Sequence, residues 1–200
     1  MAVTAACIDI TGSSRAMDVA YLEDNAIHLR TESNLNGFLN WVREHQPGII
    51  AVDAPSKENS GLVPVLHEQY SIPKGDYENF RIAEAVLRMR GIGLYNTPRT
   101  DPPAWMERGW DLYSQLRDAE YSVLDTPGTV QSVRQLVIEV HPHASFVVGL
   151  GWIPQTKQTL AGQLERSAYL RKECSNLGIR YDGTLLSIDQ LKLLQSISAT

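Results

Sequence analysis

The sequence predicts an α/β fold. Its core is a mixed five-stranded sheet, three antiparallel N-terminal strands plus two parallel ones, flanked by helices. Three observations predict it. Residues 3–10 (V-T-A-A-C-I-D-I), 48–55 (G-I-I-A-V-D-A-P) and 136–140 (L-V-I-E-V) are apolar, β-rich runs, each with one carboxylate at or near its end. The first thirty residues break into short strands separated by polar turns. Later apolar residues recur at the helical period between the remaining strand-like runs. A charge inside a buried strand costs several kcal/mol or more unless compensated, on the order given in. Asp9, Asp53 and Glu139 at strand tips therefore mark the end of the sheet where ligands bind in open α/β folds.

Taken in order, residues 3–10, 16–22 and 26–30 read as an antiparallel meander, with Glu23-Asp24-Asn25 as one of its turns. Residues 33–46 read as a helix, because Leu35, Phe38, Leu39 and Val42 fall at i, i+3, i+4 and i+7. Pro47-Gly48 stops it. Residues 48–53 are nearly all apolar, as expected of a parallel strand buried on both faces. Residues 54–76 read as a long loop over the strand tips. A helix follows over 76–90, capped by Gly91. Residues 96–103 (N-T-P-R-T-D-P-P) are irregular, and 105–120 form a second, aromatic-rich helix. A break at 126–129 precedes the strand at 135–140. A helix over 156–177 and a short one over 187–197 complete the chain. The organisation expected is one domain over 1–200, with a loop and helix insertion at about 96–130. In this topology strands one and four can be neighbours, which sets Asp9 beside Asp53.

Composition narrows the class. The chain has 200 residues, long enough for a substantial core, and 43% of them are hydrophobic. No apolar run approaches the roughly 20 residues that span a bilayer. The N-terminus lacks the charged region of a signal peptide. The two cysteines, Cys7 and Cys174, make no disulfide framework, and the expected compartment is the cytoplasm. A net charge of −5 argues against an extended nucleic-acid-binding face but leaves room for a local basic groove.

Four constellations carry chemistry. Asp9, Asp53 and Glu139 offer the oxygen ligands that Mg²⁺ or Mn²⁺ prefer, and two ions roughly 3.5–4 Å apart can polarise a phosphodiester. The plainer reading is that Asp9 caps a turn and Asp53 opens a loop. Glu139, His141 and His143 alternate, so an extended segment would converge them on zinc. The alternatives are a histidine acting as a base, one orienting a phosphate, or a satisfied polar histidine beside Pro142. Arg81, Glu84 and Arg88 share one helix face, preferentially as a solvated salt-bridge ladder and otherwise as a basic rim for an anionic substrate. Lys157, with Gly162 and Arg166 further along, sets positive charge at a helix start, against the dipole, as an anion site or as ordinary surface. Trp105 and Trp110 read as core or interface residues in preference to base-stacking platforms.

Five fragments then carry a family resemblance: C-I-D-I-T-G-S (7–13), I-A-V-D-A-P-S (50–56), R-I-A-E-A-V-L-R-M-R-G-I (81–92), E-V-H-P-H-A-S-F (139–146) and K-Q-T-L-A-G-Q-L-E-R (157–166). On these the chain resembles domain of unknown function family 429, a set of predicted ribonuclease-H-like nucleases. The resemblance implies a ribonuclease-H-like fold and metal-dependent hydrolysis of phosphodiester bonds. It implies Asp9, Asp53 and Glu139 as the acidic, metal-holding cluster, with His141 among the catalytic groups. Arg81, Glu84, Arg88, Lys157 and Arg166 become the surrounding substrate-binding positions. The chain departs from the family pattern twice. His143 stands where the family usually has Glu. A late double-Asp motif is replaced by Ser187-Ile188-Asp189-Gln190, leaving Asp189 as a candidate fourth carboxylate. Two other classes fit the same residues. The Asp9-Ile10-Thr11-Gly12-Ser13 turn suits a nucleotide-binding phosphotransferase, although the chain leaves no room for a second lobe. The altered His143 and the acidic net charge suit a non-catalytic binding module.

Overall fold

A computed structural model describes residues 3–12, 15–124 and 135–180. Three strands open it: β1 (Val3–Asp9), β2 (Met17–Glu23) and β3 (Ala26–Glu32), followed by helix α1 (Leu35–His45) and strand β4 (Ile49–Asp53). Then come α2 (Val63–Leu66), α3 (Ile82–Met89), α4 (Ala104–Asp118), β5 (Ser122–Val123), β6 (Leu136–Glu139), α5 (Pro142–Leu150) and α6 (Leu160–Asn176). The sheet order is β3-β2-β1-β4-β6-β5. The β1–β2 and β2–β3 pairs are antiparallel, and the β1–β4, β4–β6 and β5–β6 pairs are parallel. The mixed α/β sheet is as the sequence predicts, but it has six strands, not five. The extra one, β5, is two residues long, too short to carry a period-two pattern.

Alternation assigns the two faces. One face carries Ala6, Ile8, Ile50, Val52 and Val137 against Phe38, Leu39 and Val42 of α1 and Leu112, Tyr113 and Leu116 of α4. The other carries Cys7, Ala20 and Ala51 against Phe146 of α5 and Leu170 of α6. The helix expected within a 96–130 insertion is thus part of the main core. Gly109 allows this approach, since a Cβ there would lie 2.7 Å from the Ala54 Cβ at the end of β4. Asn34 caps α1 by accepting from the Gly37 N–H at 3.0 Å.

Three further elements differ from expectation. The helix predicted over 76–90 begins only at Ile82. Gly75 and Tyr77 sit at φ 86° and 56°, which no right-handed helix accommodates. Glu84 then accepts the Arg81 N–H at 3.0 Å and fixes the start. The stretch 54–76 contains the single turn α2. Residues 142–150, to which the sequence assigns no element, form α5, with Pro142 in its first turn where a missing N–H costs nothing. The expected helix at 187–197, and Asp189 with it, lies outside the described residues. No helix among the described residues is long and apolar enough to cross a membrane.

Candidate active site

The parallel strands β1, β4 and β6 all end on one side of the sheet. In the β1–β4 register Asp9 is the direct partner of Asp53. In the β1–β2 register Asp9 is also the direct partner of Asp18. Direct partners leave the sheet on the same face, so three aspartates stand in one row across β2, β1 and β4. That face is the one covered lower down by α5 and α6. The buried Cys7 thiol beneath the row is pushed far up, first by burial and then by the charges of Asp9 and Asp53. Sequence reasoning missed Asp18. The signal was present in the hairpin, since strand two alternates A-M-D-V-A-Y and one turn fixes its register to strand one.

The row forms the floor of a cavity of about 840 Å³. Such a volume suits a ligand of nucleotide size, within the roughly 300–1,000 Å³ of small-molecule sites. Five carboxylates line it (Asp9, Asp18, Asp53, Glu84, Glu139) together with four cations (Arg15, Arg81, Lys157, Arg166) and His141 and His143. Like charges placed side by side in a sheet repel. The cations on the same wall, and any cation bound there, offset that repulsion.

Glu139 is held differently from the aspartates. Its partner in β4 is Val52, not Asp53. Its carboxylate accepts the Ser56 N–H at 2.9 Å and takes both terminal nitrogens of Arg81, one at 2.9 Å. Burial alone would raise the Glu139 pKa, but the Arg81 bonds and charge and the Ser56 N–H hold it below the ordinary carboxylate value. Arg81 also donates through Nε to Glu84 at 2.8 Å. Glu84 is buried at 6% exposure and accepts the Thr97 N–H and hydroxyl as well. Arg81 is therefore a clamp between two carboxylates, joining α3 to the tip of β6. The predicted face of Arg81, Glu84 and Arg88 divides accordingly. Glu84 is buried and Arg81 half-buried within the clamp, not on a solvated ladder, while Arg88 is exposed and lines neither of the two main cavities.

His141 and His143 sit at the start of α5, with ring centroids 6.5 Å apart. His141 Nε2 lies 3.3 Å from the Gly93 carbonyl. Burial lowers both pKa values, and for His143 the Arg166 charge adds to the effect. The zinc reading required an extended segment from 139 to 143. Helix α5 begins at Pro142, so the alternation that would converge the three side chains is absent. Arg166 is 3% exposed and donates to the carbonyls of Gln155 at 2.7 Å and Gly162 at 2.8 Å. Its guanidinium lies 5.4 Å from the Phe146 ring centre. It secures the turn carrying Lys157, which precedes α6 instead of opening it. Thr159 is the N-cap, accepting the Gly162 N–H at 3.1 Å.

Among the described residues no group of three or more His, Cys, Asp and Glu is arranged to hold a metal ion. The predicted trio of Asp9, Asp53 and Glu139 reaches one cavity, but Glu139 is bonded to Arg81. Asp9 and Asp53 line that cavity as direct register partners. Magnesium commonly uses one or two carboxylates and completes its shell with water and substrate phosphate. The donor set fits a single ion of that kind.

Fold and site together define an α/β protein with an acidic strand-tip cleft walled by arginine, lysine and histidine. The chain belongs to the family described as Protein of unknown function (DUF429), matched over residues 8–195, a span that takes in every predicted site residue. No curated protein and no solved structure matches the chain.

Proposed function

We propose that this protein is a divalent-metal-dependent hydrolase of phosphodiester bonds in nucleic acid, on a ribonuclease-H-like fold. The observation that carries the reading is the direct pairing of Asp9 with Asp53 at neighbouring parallel strand tips, on the floor of a cavity walled by cations. The antiparallel β3-β2-β1 unit continued by parallel β4 and β6 supports the fold assignment. Carboxylates alone would repel a phosphodiester. Cations alone would bind it without activating water. The combination supports phosphate chemistry.

Asp9 and Asp53 would hold Mg²⁺ or Mn²⁺, which when bound polarises the phosphate and lowers the pKa of water. Lys157 is in position on the cavity wall to stabilise charge on the phosphate oxygens. His141, kept neutral by burial, is suited to accept a proton from water near the scissile bond. Glu139 acts through Arg81, which it orients along the wall. Arg166 acts by fixing the Lys157 turn.

The test is cleavage of single-stranded, duplex, hybrid and branched substrates with Mg²⁺ or Mn²⁺, by wild type and by Asp9→Asn and Asp53→Asn. Cleavage by wild type with a loss of 100-fold or more in both variants is expected. An Asp9→Asn protein that cuts as fast as wild type refutes the reading.

A further inference from the structure

We propose that Tyr95, backed by Trp105, is a base-stacking platform that seats an unpaired nucleobase at the mouth of the acidic cleft. This makes the preferred ligand a single-stranded or splayed nucleic-acid segment. It deepens the hydrolase reading by naming the substrate class.

Tyr95 is 83% exposed, higher than any other large apolar or aromatic side chain among the described residues. A lone exposed tyrosine would need no explanation. This one is neither isolated nor loosely held. Its ring meets Trp105 edge-on, with centroids 6.3 Å apart. Trp105 sits in the first turn of α4 and packs partly against the main core, so it gives the tyrosine a fixed backing. Both rings line the same cavity as Asp9, Asp53 and Lys157. Half-exposed Ile153 lines it too.

The backbone presenting Tyr95 is pinned on both sides. Two residues before it, the Gly93 carbonyl meets His141 Nε2. One residue after it, the Asn96 side chain donates to the Asn79 carbonyl at 3.1 Å. Two residues after it, Thr97 is fully buried, bonded to Glu84 and, through its carbonyl, to Asn59. The fold holds this segment firmly and leaves its largest side chain in water. An aromatic face lining one cavity with Lys157 matches how single-stranded nucleic acid is bound: cations follow the backbone and rings stack the bases. A base paired within a duplex keeps its faces stacked on its neighbours and cannot offer one to Tyr95. A free nucleotide satisfies the same chemistry, and the length dependence of binding separates it from a strand.

The experiment is equilibrium binding of a fluorescent, hydrolysis-resistant phosphorothioate dodecanucleotide in Mg²⁺. It is compared with the same strand made largely abasic, with its duplex, and with a mononucleotide. Wild type should bind the base-bearing strand more tightly than the abasic strand or the duplex. Tyr95→Ala should weaken binding to the base-bearing strand by roughly 5- to 150-fold, the range for one stacked base. It should leave binding to the abasic strand unchanged. Tyr95→Trp should restore the affinity. Because the side chain is so exposed, the alanine variant keeps the fold, which a matching melting temperature verifies. No binding by wild type, equal binding of base-bearing and abasic strands, or an unaffected Tyr95→Ala overturns the proposal. Cleavage is not read, so the two ideas separate. A protein that stacks bases through Tyr95 but never cuts sinks only the hydrolase reading. One that cuts with no contribution from Tyr95 sinks only this inference.

Discussion

Removing the Arg81 guanidinium should destabilise the protein by about 3 kcal/mol, through charges stranded at the strand tip. Deleting one partner of a buried ion pair typically costs about 3–5 kcal/mol. The low end applies here for two reasons. The Glu139 side chain retains 31% exposure, so water solvates part of the released charge. Glu84, at 7%, keeps the Thr97 N–H and hydroxyl and the backbone N–H of residue 81. Arg81→Met preserves most of the aliphatic volume, so the change isolates the charge. For a domain of this size, 3 kcal/mol corresponds to a fall in melting temperature of about 6–12 °C, as scaled in. Circular dichroism melts at pH 7 measure it.

The same pair has a pH signature. Glu139 has a folded-state pKa below its ordinary value. Its contribution to stability is therefore present above the ordinary carboxylate value and is lost as pH falls through the folded value. The gap between wild type and Arg81→Met should shrink over that range. A double-mutant cycle with Glu139→Gln should show coupling, with the second change costing less once the first is made. An Arg81→Met protein melting within about 1 °C of wild type, or strict additivity with Glu139→Gln, would refute the clamp; the 1 °C margin is well below the shift expected from.

Three further outcomes are expected. Gly162→Ala would set a Cβ 2.3 Å from the Thr156 carbonyl and 2.5 Å from that of Gln155. It should cost about 1–3 kcal/mol, as overpacking does, and should weaken phosphate binding by displacing the Lys157 turn; melting and oligonucleotide titration read the two effects. His141 and His143 have folded pKa values below the ordinary 6.5, so the unfolded chain takes up protons first as pH falls. Stability should thus rise with pH through the window just below 6.5 and level off above it, and His141→Gln with His143→Gln should flatten that slope in urea titrations. Saturating Mg²⁺ at ten times its dissociation constant should stabilise wild type by about 1.4 kcal/mol, and a melting temperature that rises equally in Asp53→Asn would remove the ion from the Asp9–Asp53 pair.

Much of this architecture was legible because the strong signals are local. The run ending at Asp53 is apolar on both faces and bounded by Pro47-Gly48 and Pro55, so its identity as a central strand follows from composition. Helix α1 follows from four apolar residues at the right spacing. What failed to show depended on tertiary context. Strand β5 exists because two residues hydrogen-bond to β6. Helix α5 (P-H-A-S-F-V-V-G-L) spreads its apolar residues around its axis, leaving no amphipathic period to find. The late start of α3 reflects positive φ at Tyr77, a residue with no intrinsic preference for it. Within the site, the meeting of Asp9 and Asp53 at neighbouring strand tips was legible from their types and positions. The contacts of Arg81 and Arg166 were not legible. Each arginine is spent on holding the backbone or another carboxylate, and only the contacts disclose that.

The three carboxylates that looked equivalent in sequence are separated by sheet register. Each ends an apolar strand, and the three strand tips lie on the same side of the sheet. Asp9 and Asp53 are direct partners, whereas Glu139 pairs with Val52, one step out of phase. On a pleated sheet one step exchanges the faces. Val52 points to the α1 and α4 side with Ile8 and Tyr113, and Glu139 leaves β6 in that phase, toward Ser56 and Arg81. The position in phase with Asp53 and Asp9 is filled from the other side, by Asp18 of β2. The acidic row therefore runs β2-β1-β4 and not β1-β4-β6. A cation held by Asp9 and Asp53 would sit on the face this row shares, out of phase with Glu139. Substituting Asp18 should then weaken Mg²⁺ binding more than substituting Glu139, whose loss should register chiefly in stability. Calorimetric titration of Asp18→Asn and Glu139→Gln decides between the two rows, and a Glu139→Gln protein that loses the ion while Asp18→Asn keeps it would return the site to the arrangement the sequence suggested.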